Sequence, residues 1–489
     1  MRSIPGCLVL LGLSTLCFGS SWVGQERVNR PNGDTLDGQP TTAIDAHGHP
    51  WVVWIENCGD TTLYWSSWGY DGWEPQRGVS ANAPGVHWRF RPDISNDGQN
   101  GAWIVWHNAY ENNNRDIAAC YWDGSTWGDE QQVNLPDSTD VDFAPKVSCG
   151  GGQVWCVWYG GLTDMSAYSV YASRWSESTQ VWGPETQVSP IDGNHHWWCD
   201  VAVDTLGTPH VVWCTYPLYT VFHSYFDGEH WVTPTPVNDT SNVFASPWAS
   251  PRIVIDHDGV MHVSLTGARV GATHRDIFYA HNDGSGWSPC QMVTRDSLYD
   301  EWYSDIAANA PDNVWIVWDR QNEGSDQFRV YAAHYDGQEF SAEQRLDNDS
   351  SYYDCSPAVC LDSSDDPWVF WNGIPYGSGS NGDVFFNRFA EVGLAEAQPA
   401  VDACRIRLRC ATPQCGLGLT VSFDIASTTH VRLTVLDGTG RCRAVLADEL
   451  MPRGAHTARF RGTLAPGVYL CRLQAEGQFV TEKMILLGR

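Results

Sequence analysis

Short apolar segments recur along this chain at a nearly constant interval. The first, Pro50-Trp51-Val52-Val53-Trp54, is apolar at every position. Six altered copies follow, and they end at Trp106, Trp158, Trp213, Leu265, Trp318 and Trp371. The successive intervals are 52, 52, 55, 52, 53 and 53 residues. Segments without polar alternation predict strands that are buried on both faces, and a period of about 50 residues is typical of radial repeat proteins.

Each repeat contains three further strand-like segments in a fixed order. A first segment such as Pro251–Asp256 precedes the apolar one, and a third such as Asp276–His281 follows it after a polar loop. An Asp-Gly pair then leads to an aromatic residue, as in Asp123-Gly124 before Trp127, because a tight hairpin turn needs positive φ. The fourth segment ends in Val-Asn or a similar pair. Four antiparallel strands per repeat predict an all-β fold, a seven-bladed β-propeller.

The two ends of the repeat region complement each other. The last repeat has three strand segments, Pro357–Leu361, Trp368–Trp371 and Asp383–Phe389, but no fourth. The segment Trp22–Asn29 has the pattern of a fourth strand without the three that should precede it. We therefore predict that the N-terminal strand completes the seventh blade and removes an exposed sheet edge.

The first 19 residues have the pattern of a secretory signal peptide. Arg2 precedes an apolar run from Ile4 to Phe18, and small residues follow it. We predict cleavage after Gly19 and export. No later stretch approaches 18 apolar residues, so we expect no membrane span. Export permits disulfides, and Cys199 with Cys214 is the best candidate pair; buried free thiols are the alternative.

The charge of the chain is strongly acidic and unevenly distributed. The net charge is −29 in total. Residues 1–390 carry 17 Lys and Arg against 49 Asp and Glu, a net of −32, whereas residues 391–489 carry 12 against 9, a net of +3. Such a body repels nucleic acid and anionic lipid. It favours neutral or cationic partners, or serves solubility.

The turn motif of the repeats resembles that of a known superfamily. Asp123-Gly124-Ser125-Thr126-Trp127 is similar to the Asp-box of sialidase-like (BNR-repeat) propellers, with one residue fewer between Asp and Gly. The resemblance covers about residues 22–389 and implies the fold. The three arginines and the Arg-Ile-Pro motif that sialidase chemistry needs are not matched, because Arg252-Ile253 lies in the fifth repeat and lacks the Pro.

The C-terminal part, residues 401–489, resembles a second family. Val431–Gly440, Arg453–His456, Ala465–Leu473 and Thr481–Leu486 follow the order of the sorting domain of type IX secretion cargo, a small immunoglobulin-like β-sandwich. Alternating strands with Asp-Gly and Pro-Gly turns agree with that fold. The resemblance implies secretion machinery as a partner, and a location outside or on the surface of a bacterium with an outer membrane. Residues 20–390 would then be the propeller and residues 391–400 the linker.

A binding site is expected on the upper face, which carries the loops between second and third strands and the links from each fourth strand to the next first strand. The links contain aromatic residues beside polar ones. If these residues point to the axis, aromatic faces and hydrogen-bonding groups surround it. The candidate ligand-binding residues are Trp88, Arg89, His196, Trp197, Trp248, Glu301, Trp302, Tyr303, Tyr353 and Asp354.

Two functions remain open. The first is a secreted or surface-held propeller, expected to be a monomer, that binds an extracellular glycan or protein without catalysis. The alternative is a carbohydrate-active enzyme, a glycoside hydrolase or polysaccharide lyase, which would need two facing carboxylates about 5–10 Å apart. Glu301 with Asp305 and Asp140 with Asp142 are the candidate pairs. No cofactor is expected; calcium at Asp347–Asp349 or Asp362–Asp366 is the one metal option, and solvated turns explain those residues as well.

Overall fold

The structure is a computed structural model. It describes residues 19–29, 36–57, 61–69, 72–79, 86–110, 114–135, 140–162, 167–246, 250–295, 299–321, 327–348, 352–375, 382–392, 407–411, 419–425, 429–437, 442–452, 454–460, 467–475 and 478–486. These residues form strands, bridges and turns without a helix, so the described fold is all-β. Accordingly, no described segment is a helix able to cross a membrane. The chain divides into two compact units, Met1–Leu394 and Ala395–Arg489.

The first unit begins with two short strands and continues with the repeats, numbered here 1 to 7 by their apolar segments. The N-terminal strands are β1 (Gly19–Trp22) and β2 (Glu26–Arg27). Repeats 1 to 3 consist of β3 (Leu36–Ile44), β4 (Pro50–Asn57), β5 (Thr61–Gly69), β6 (Gly72–Trp73), β7 (Arg77–Gly78), β8 (Val86–Asn96), β9 (Ala102–Tyr110), β10 (Arg115–Trp122), β11 (Gln131–Gln132), β12 (Asp140–Gly150), β13 (Gln153–Leu162), β14 (Ser169–Ser176), β15 (Val181–Trp182) and β16 (Thr186–Gln187).

Repeats 4 to 7 continue the same order. Their strands are β17 (His195–Val203), β18 (Pro209–Tyr216), β19 (Thr220–Tyr225), β20 (Thr235–Pro236), β21 (Val243–Ala245), β22 (Arg252–Ile255), β23 (Met261–Arg269), β24 (Asp276–Asn282), β25 (Gln291–Met292), β26 (Asp300–Ala310), β27 (Asn313–Gln321), β28 (Phe328–Tyr335), β29 (Gln344–Arg345), β30 (Tyr352–Leu361), β31 (Pro367–Pro375) and β32 (Asp383–Val392).

Strands pair antiparallel in chain order within each repeat. Repeat 4 has the order β17-β18-β19-β20 and repeat 6 the order β26-β27-β28-β29. The second strand is buried on both faces, as β9 is from Ala102 to Ala109. First strands of all seven repeats line one cavity of about 480 Å³. Sheets arranged radially around a common axis make this unit a β-propeller.

The N-terminal segment pairs with the last strand of repeat 7. Trp22 of β1 lies opposite Phe389, and β2 pairs with the middle of β32. The Oδ1 atom of Asn29 accepts the backbone N–H of Val384 at 3.0 Å. The segment therefore occupies the place of a fourth strand in this sheet. Equivalent bonds in other repeats join Asn134 Oδ1 to Ile117 N, Ser189 Oγ to Val170 N and Asn238 Oδ1 to Val221 N.

Replacing Asn29 by Ala should destabilise the propeller, because the buried N–H of Val384 loses its acceptor. The expected cost is about 2 kcal/mol in the free energy of unfolding, measured by thermal or urea unfolding of the full chain. Glu26→Ala is the matched control, since the Glu26 side chain is exposed on the same segment. Equal stability of the Asn29→Ala variant and the wild type would contradict the closing role of this segment.

The first strands carry a β-bulge at the same place in most repeats. In repeat 2 the pairing with β9 shifts between Phe90 and Asp93, and Arg91 in between has a φ of 50°. Residues other than Gly rarely adopt this left-handed conformation. Pro follows the left-handed residue in several repeats, as Pro92 follows Arg91. Left-handed residues at the equivalent positions are Gln39, Ala144, Trp198 and Ser356.

The bulge explains a difference from the predicted strand limits. The sequence pattern places the aromatic residues of the candidate site in links before the first strands. Instead, Trp88, Trp197, Trp302 and Tyr353 lie inside β8, β17, β26 and β30. Because the bulge interrupts the alternation of side chains, the sequence pattern is regular only after it. Likewise β32 extends to Val392, into the predicted linker, because its end pairs with β1.

The second unit contains two sheets. The strands are β33 (Arg407–Ala411), β34 (Leu419–Ile425), β35 (Thr429–Asp437), β36 (Cys442–Met451), β37 (Gly454–Phe460), β38 (Gly467–Ala475) and β39 (Gln478–Leu486). One sheet has the order β33-β34-β37 and the other β36-β35-β38-β39. Alternate residues of β35, namely Val431, Leu433 and Val435, are fully buried. This alternation is that of strands with one face in a core.

The predicted disulfide between Cys199 and Cys214 is wrong, since both thiols are free. They pack in different hydrophobic clusters. The Sγ atom of Cys214 lies 3.5 Å from the carbonyl oxygen of Ser246. Burial raises the pKa of Cys214 to about 12, so the thiol stays protonated. These cysteines act as small apolar side chains.

Candidate functional site

One position of the first strand points into the central cavity in every repeat. We call these seven residues the axis ring: Thr41, Asp93, Lys146, Asp200, Arg252, Asp305 and Ala358. Each pairs with the residue that precedes the central Trp or Leu of its repeat. Charges alternate in sign through the middle of the axis ring, which holds one of the two lysines of the chain.

The three carboxylates of the axis ring join repeats 2, 4 and 6 to the repeat that follows each. Asp93 accepts Lys146 Nζ at 2.8 Å and the backbone N–H of Val147 at 2.9 Å. Asp305 likewise pairs with Arg252 at 3.5 Å and accepts the N–H of Val359. In the same way Asp200 accepts the N–H of Ile253 at 2.9 Å. Burial raises the pKa of Asp200 to about 6, although Arg252 and Lys146 oppose that rise. The axis ring is thus engaged in structural bonds.

A second position lies four residues before the axis ring in six repeats, and in repeats 3, 4 and 7 its side chain accepts the indole N–H of the buried Trp. Asp142 accepts the indole N–H of Trp158 at 3.1 Å, and Asp354 that of Trp371 at 2.9 Å. A buried indole N–H without an acceptor is costly. In repeat 5 the Trp is replaced by Leu265, and the residue at the acceptor position is Ala245. Residues at this acceptor position are Asp37, Arg89, Asp142, His196, Ala245, Glu301 and Asp354.

His196 shows how this position holds its repeat together. Trp213 donates its indole N–H to Nδ1 at 3.1 Å, so the ring proton lies on Nε2, which donates to Asp192 at 3.0 Å. Only 2 % of His196 is exposed. Burial lowers the pKa of His196, and the ring is neutral at pH 7. The imidazole is therefore an internal bridge between Trp213 and Asp192.

Four predicted site residues occupy the acceptor position and are buried inside the repeats. Arg89 is 2 % exposed and lies 3.5 Å from Glu130. Glu301 is fully buried and accepts Arg320 Nε at 2.7 Å. His196 and Asp354 hold Trp213 and Trp371, as described above. These four side chains therefore make contacts inside the repeats and are not exposed on the upper face.

The predicted aromatic residues lie on the opposite side of the same strands. Trp88 is 42 % exposed, and Trp197, Trp302 and Tyr353 are partly exposed. Tyr303 lines the central cavity. Successive side chains of a strand point to opposite faces, so these residues alternate with the buried acceptor position. Trp248 lies outside the described residues.

The structure brings Trp197 together with aromatic residues that the sequence pattern did not single out. Tyr168 has its ring centroid 5.9 Å from Phe143, 5.6 Å from His195 and 5.9 Å from Trp197. We call Phe143, Tyr168, His195 and Trp197 the aromatic row. The guanidinium of Arg115 lies 4.5 Å above the Phe143 ring. Phe143 could have been found from sequence, because it stands at the same offset as Trp197.

Arginines accompany the aromatic residues around the axis. Arg91 lies 4.6 Å above the ring of Trp198 and lines the central cavity. Arg275 lies 4.1 Å above the ring of Trp302 and 3.4 Å from Asp300. Stacked guanidinium groups keep their N–H edges available as donors. The upper face therefore combines aromatic rings with hydrogen-bond donors, although the net charge of residues 1–390 is negative.

The carboxylates proposed as catalytic pairs are occupied by other partners. Glu301 pairs with Arg320, and Asp305 with Arg252 and the N–H of Val359. Asp142 accepts hydrogen bonds from Trp158 and from Asn134. Asp305 lines the central cavity, but its carboxylate is engaged with Arg252 and Val359, and the side chain of Asp140 lies outside the described part of the structure.

The calcium candidates Asp347 and Asp362 also have internal partners, and Asp349 lies outside the described residues. Asp347 lies 2.6 Å from Arg345 and accepts the N–H of Val330 at 3.0 Å. Asp362 accepts the N–H groups of Ser364 and Asp366 in a turn. Among the described residues no group of three or more His, Cys, Asp or Glu could hold a metal ion.

No family model and no curated protein matches the chain. Solved structures resemble it at low identity. The NanB sialidase from Streptococcus pneumoniae is 10% identical, over 74% of this chain and 70% of that one, with a TM-score of 0.42. Penicillium chrysogenum α-L-arabinanase is 11% identical, over 75% and 98%, with a TM-score of 0.46. The β-propeller domain of the Trilobed protease from Pyrococcus furiosus is 10% identical, over 72% and 95%, with a TM-score of 0.43.

Asp319 should make the stability of the propeller depend on pH. It is fully buried, and burial raises its pKa to about 7, against about 3.9 in an unfolded chain. The folded state therefore holds a proton that the unfolded state has lost, and stability falls as pH rises from about 4 through 7. Asp319→Asn keeps an acceptor for the N–H of Ser356 and removes the titration.

The expected result is that Asp319→Asn unfolds at a higher temperature than the wild type at pH 8, with the difference shrinking towards pH 5. Differential scanning calorimetry of the full chain across that range checks it. Asp123→Asn is the control, because hydrogen bonds from Thr126 and Ser125 lower the pKa of Asp123 to about 2, outside the range. A pH slope unchanged by Asp319→Asn would contradict the assignment.

Proposed function

We propose that residues 20–390 form a seven-bladed β-propeller that binds carbohydrate on its upper face without catalysis. The observation that supports this proposal is the aromatic row, which lies beside the axis in company with Trp302 and the stacked arginines. Apolar faces of sugar rings fit aromatic side chains, and guanidinium N–H groups suit hydroxyl oxygens. Ligand sites typically combine aromatic walls with a few placed polar groups.

In this proposal, the ligand contacts the aromatic residues on one side of the first strands. Trp88, Trp197, Trp302, Tyr303 and Tyr353 would contact the ligand. Arg89, His196, Glu301 and Asp354 would support them from the acceptor position, since each is buried against its own repeat. Trp248 stays a predicted contact.

Binding is favoured over catalysis by the engagement of the acidic residues. Glycoside hydrolysis uses two carboxylates that face one substrate. Asp93, Asp200 and Asp305, which line the central cavity, each accept a backbone N–H of the next repeat. A carboxylate that accepts such a hydrogen bond stabilises the fold rather than acting on a substrate. A carbohydrate-active enzyme remains the alternative, and it shares the ligand class; release of reducing ends from a bound polysaccharide would establish it.

Trp197→Ala and Trp302→Ala should each weaken binding of a neutral polysaccharide by about 2 kcal/mol, roughly thirtyfold in Kd. The reason is the loss of a partly exposed aromatic face beside the axis. Affinity electrophoresis against a panel of xylan, laminarin, mannan and arabinan measures the effect. Trp231→Ala is the control, because Trp231 belongs to the hairpin turn at the other end of repeat 4. Binding unaffected by both axis variants would contradict the proposal.

We further propose that residues 401–489 are a sorting domain of the type IX kind with an immunoglobulin-like fold. The support is the sequence resemblance together with two sheets in a unit of their own. The protein would then be secreted or held on the outer cell surface, with the secretion machinery as the partner of this domain.

Truncation after Leu394 should leave the propeller intact. The cut lies behind the last paired residue of β32, Val392. The truncated chain should unfold at the temperature of the propeller transition in the full chain and bind the same polysaccharides, but remain inside the cell when expressed in a bacterium with type IX secretion. Secretion of the truncated chain would contradict the sorting role.

A further inference from the structure

Exposed apolar side chains gather at the upper ends of repeats 4 and 5. Tyr216, Tyr219 and Phe244 are 38 %, 36 % and 41 % exposed. By contrast, the aromatic residue that packs the interior of repeat 4, Trp213, is fully buried. Clustered exposed apolar residues mark interaction sites more often than single ones. Packing between blades therefore does not account for these three rings.

The three rings continue the aromatic row away from the axis. Tyr216 has its centroid 6.3 Å from that of Trp197, Tyr219 lies 5.6 Å from Tyr216, and Phe244 lies 6.0 Å from Tyr219. Each step is comparable to the length of one sugar unit. The chain of contacts leads from a predicted ligand residue to the outer part of the upper face.

Beside these rings lies a groove of about 350 Å³, which we call the outer groove. Its walls are Tyr216, Tyr219 and Phe244, and Arg275 lines its other side. Arg275 stacks on Trp302 at 4.1 Å. The outer groove thus bridges the space between Trp197 and Trp302, the two aromatic residues on which the proposed function depends.

Small residues at the acceptor position leave room for the outer groove. Ala245 lines it, where other repeats have an Asp, Glu, Arg or His, and Gly267 lies opposite Ala245. Leu265 has no indole N–H that would need an acceptor, so the apolar Ala245 leaves no group of Leu265 unsatisfied. Repeat 5 is therefore the repeat that can open a groove at this level.

The walls of the outer groove are held in place before any ligand binds. The N–H of Tyr219 donates to the carbonyl of Thr215 at 2.8 Å, and its own carbonyl accepts the N–H of Ala245 at 2.9 Å. Tyr219 has a φ of 54°, a conformation that residues other than Gly adopt at a cost. A fixed wall lowers the entropy lost on binding.

The chemistry of the lining indicates a neutral ligand. Of the residues that line the outer groove, Arg275 is the charged one, and Asp300 lies 3.4 Å from it. Tyrosine hydroxyls, Ser246 and the guanidinium supply hydrogen bonds around apolar ring faces. This combination fits the hydroxyls and C–H faces of a sugar better than it fits a charged peptide or an apolar helix.

We propose that the outer groove is a second carbohydrate subsite, so that the ligand is an extended neutral oligosaccharide that runs from Trp197 across repeat 5 towards Trp302. This inference rests on the proposed carbohydrate function. It adds that successive sugar units are bound, rather than one terminal sugar at the axis.

Binding affinity should therefore grow with the length of the oligosaccharide. Calorimetric titration of the full chain uses oligosaccharides of one to six units from xylan, laminarin, mannan and arabinan. In a series that binds, we expect the hexasaccharide to bind at least about tenfold more tightly than the disaccharide. Tyr219→Ala and Phe244→Ala should each remove most of that gain and leave the disaccharide affinity within about twofold.

Tyr225→Ala is the matched control, because Tyr225 is 39 % exposed at the other end of β19. It should keep the full gain with length. If disaccharide and hexasaccharide bind equally, or if the outer groove variants bind like the wild type, the second subsite is wrong while the proposed function stands. If the folded protein binds no saccharide, both fail. Binding of apolar peptides that these variants alone abolish would assign the groove to a protein partner instead.

Discussion

The bonds that the innermost strands make across repeat boundaries determine the rest of this propeller. Asp93, Asp200 and Asp305 each accept a backbone N–H from the first strand of the following repeat. Each of these three residues follows the β-bulge of its own first strand. A radial fold has no single core, so neighbouring sheets must be fixed to one another one boundary at a time. The axis ring does this at the boundaries that follow repeats 2, 4 and 6.

The β-bulge divides each first strand into a part that holds the repeats together and a part that carries the proposed ligand-binding residues. Below the bulge, side chains fill the central cavity with paired charges. Above it, one side of the strand carries a buried polar residue such as Asp142, His196 or Glu301, and the other carries Phe143, Trp197 or Trp302. The rigid elements that stabilise the fold thus present the aromatic surface directly, and little ordering is needed on binding.

Much of the fold could be predicted from the sequence because it depends on local patterns that repeat. The buried second strand, the Asp-Gly turns and the role of the segment that contains Asn29 all follow from hydrophobic pattern and turn chemistry. The turn glycine Gly124 has the expected positive φ, 95°. The bulge does not follow from the hydrophobic pattern, since a left-handed residue in a strand can be of any polarity. Its signal in the sequence is the Pro that follows Arg91 and most of its equivalents.

The candidate site was predictable only in part. Polar residues next to aromatic ones, such as Arg89 and Glu301, suggest ligand contacts, but alternation along a strand turns them inward, away from Trp88 and Trp302. The joint exchange of Leu265 and Ala245 in repeat 5 is a sequence signal for the role that this position has in repeats 3, 4 and 7, where it accepts the indole N–H of the Trp. Tyr216 and Tyr219 escaped notice because the loop that carries them is short, and proximity to Phe244 depends on packing between repeats.

Hydrogen exchange of the full chain, with and without a neutral hexasaccharide that it binds, tests the central claim most directly. The account predicts slower exchange in peptides that cover residues 215–221, 242–246 and 300–303, because the bound ligand covers these backbone segments on the upper face and suppresses their local opening to water. Peptides from the lower hairpin turn at residues 225–231 should exchange as before. Protection at that lower turn, or at neither place while the sugar is bound, would contradict a ligand site on the upper face of repeats 4 to 6.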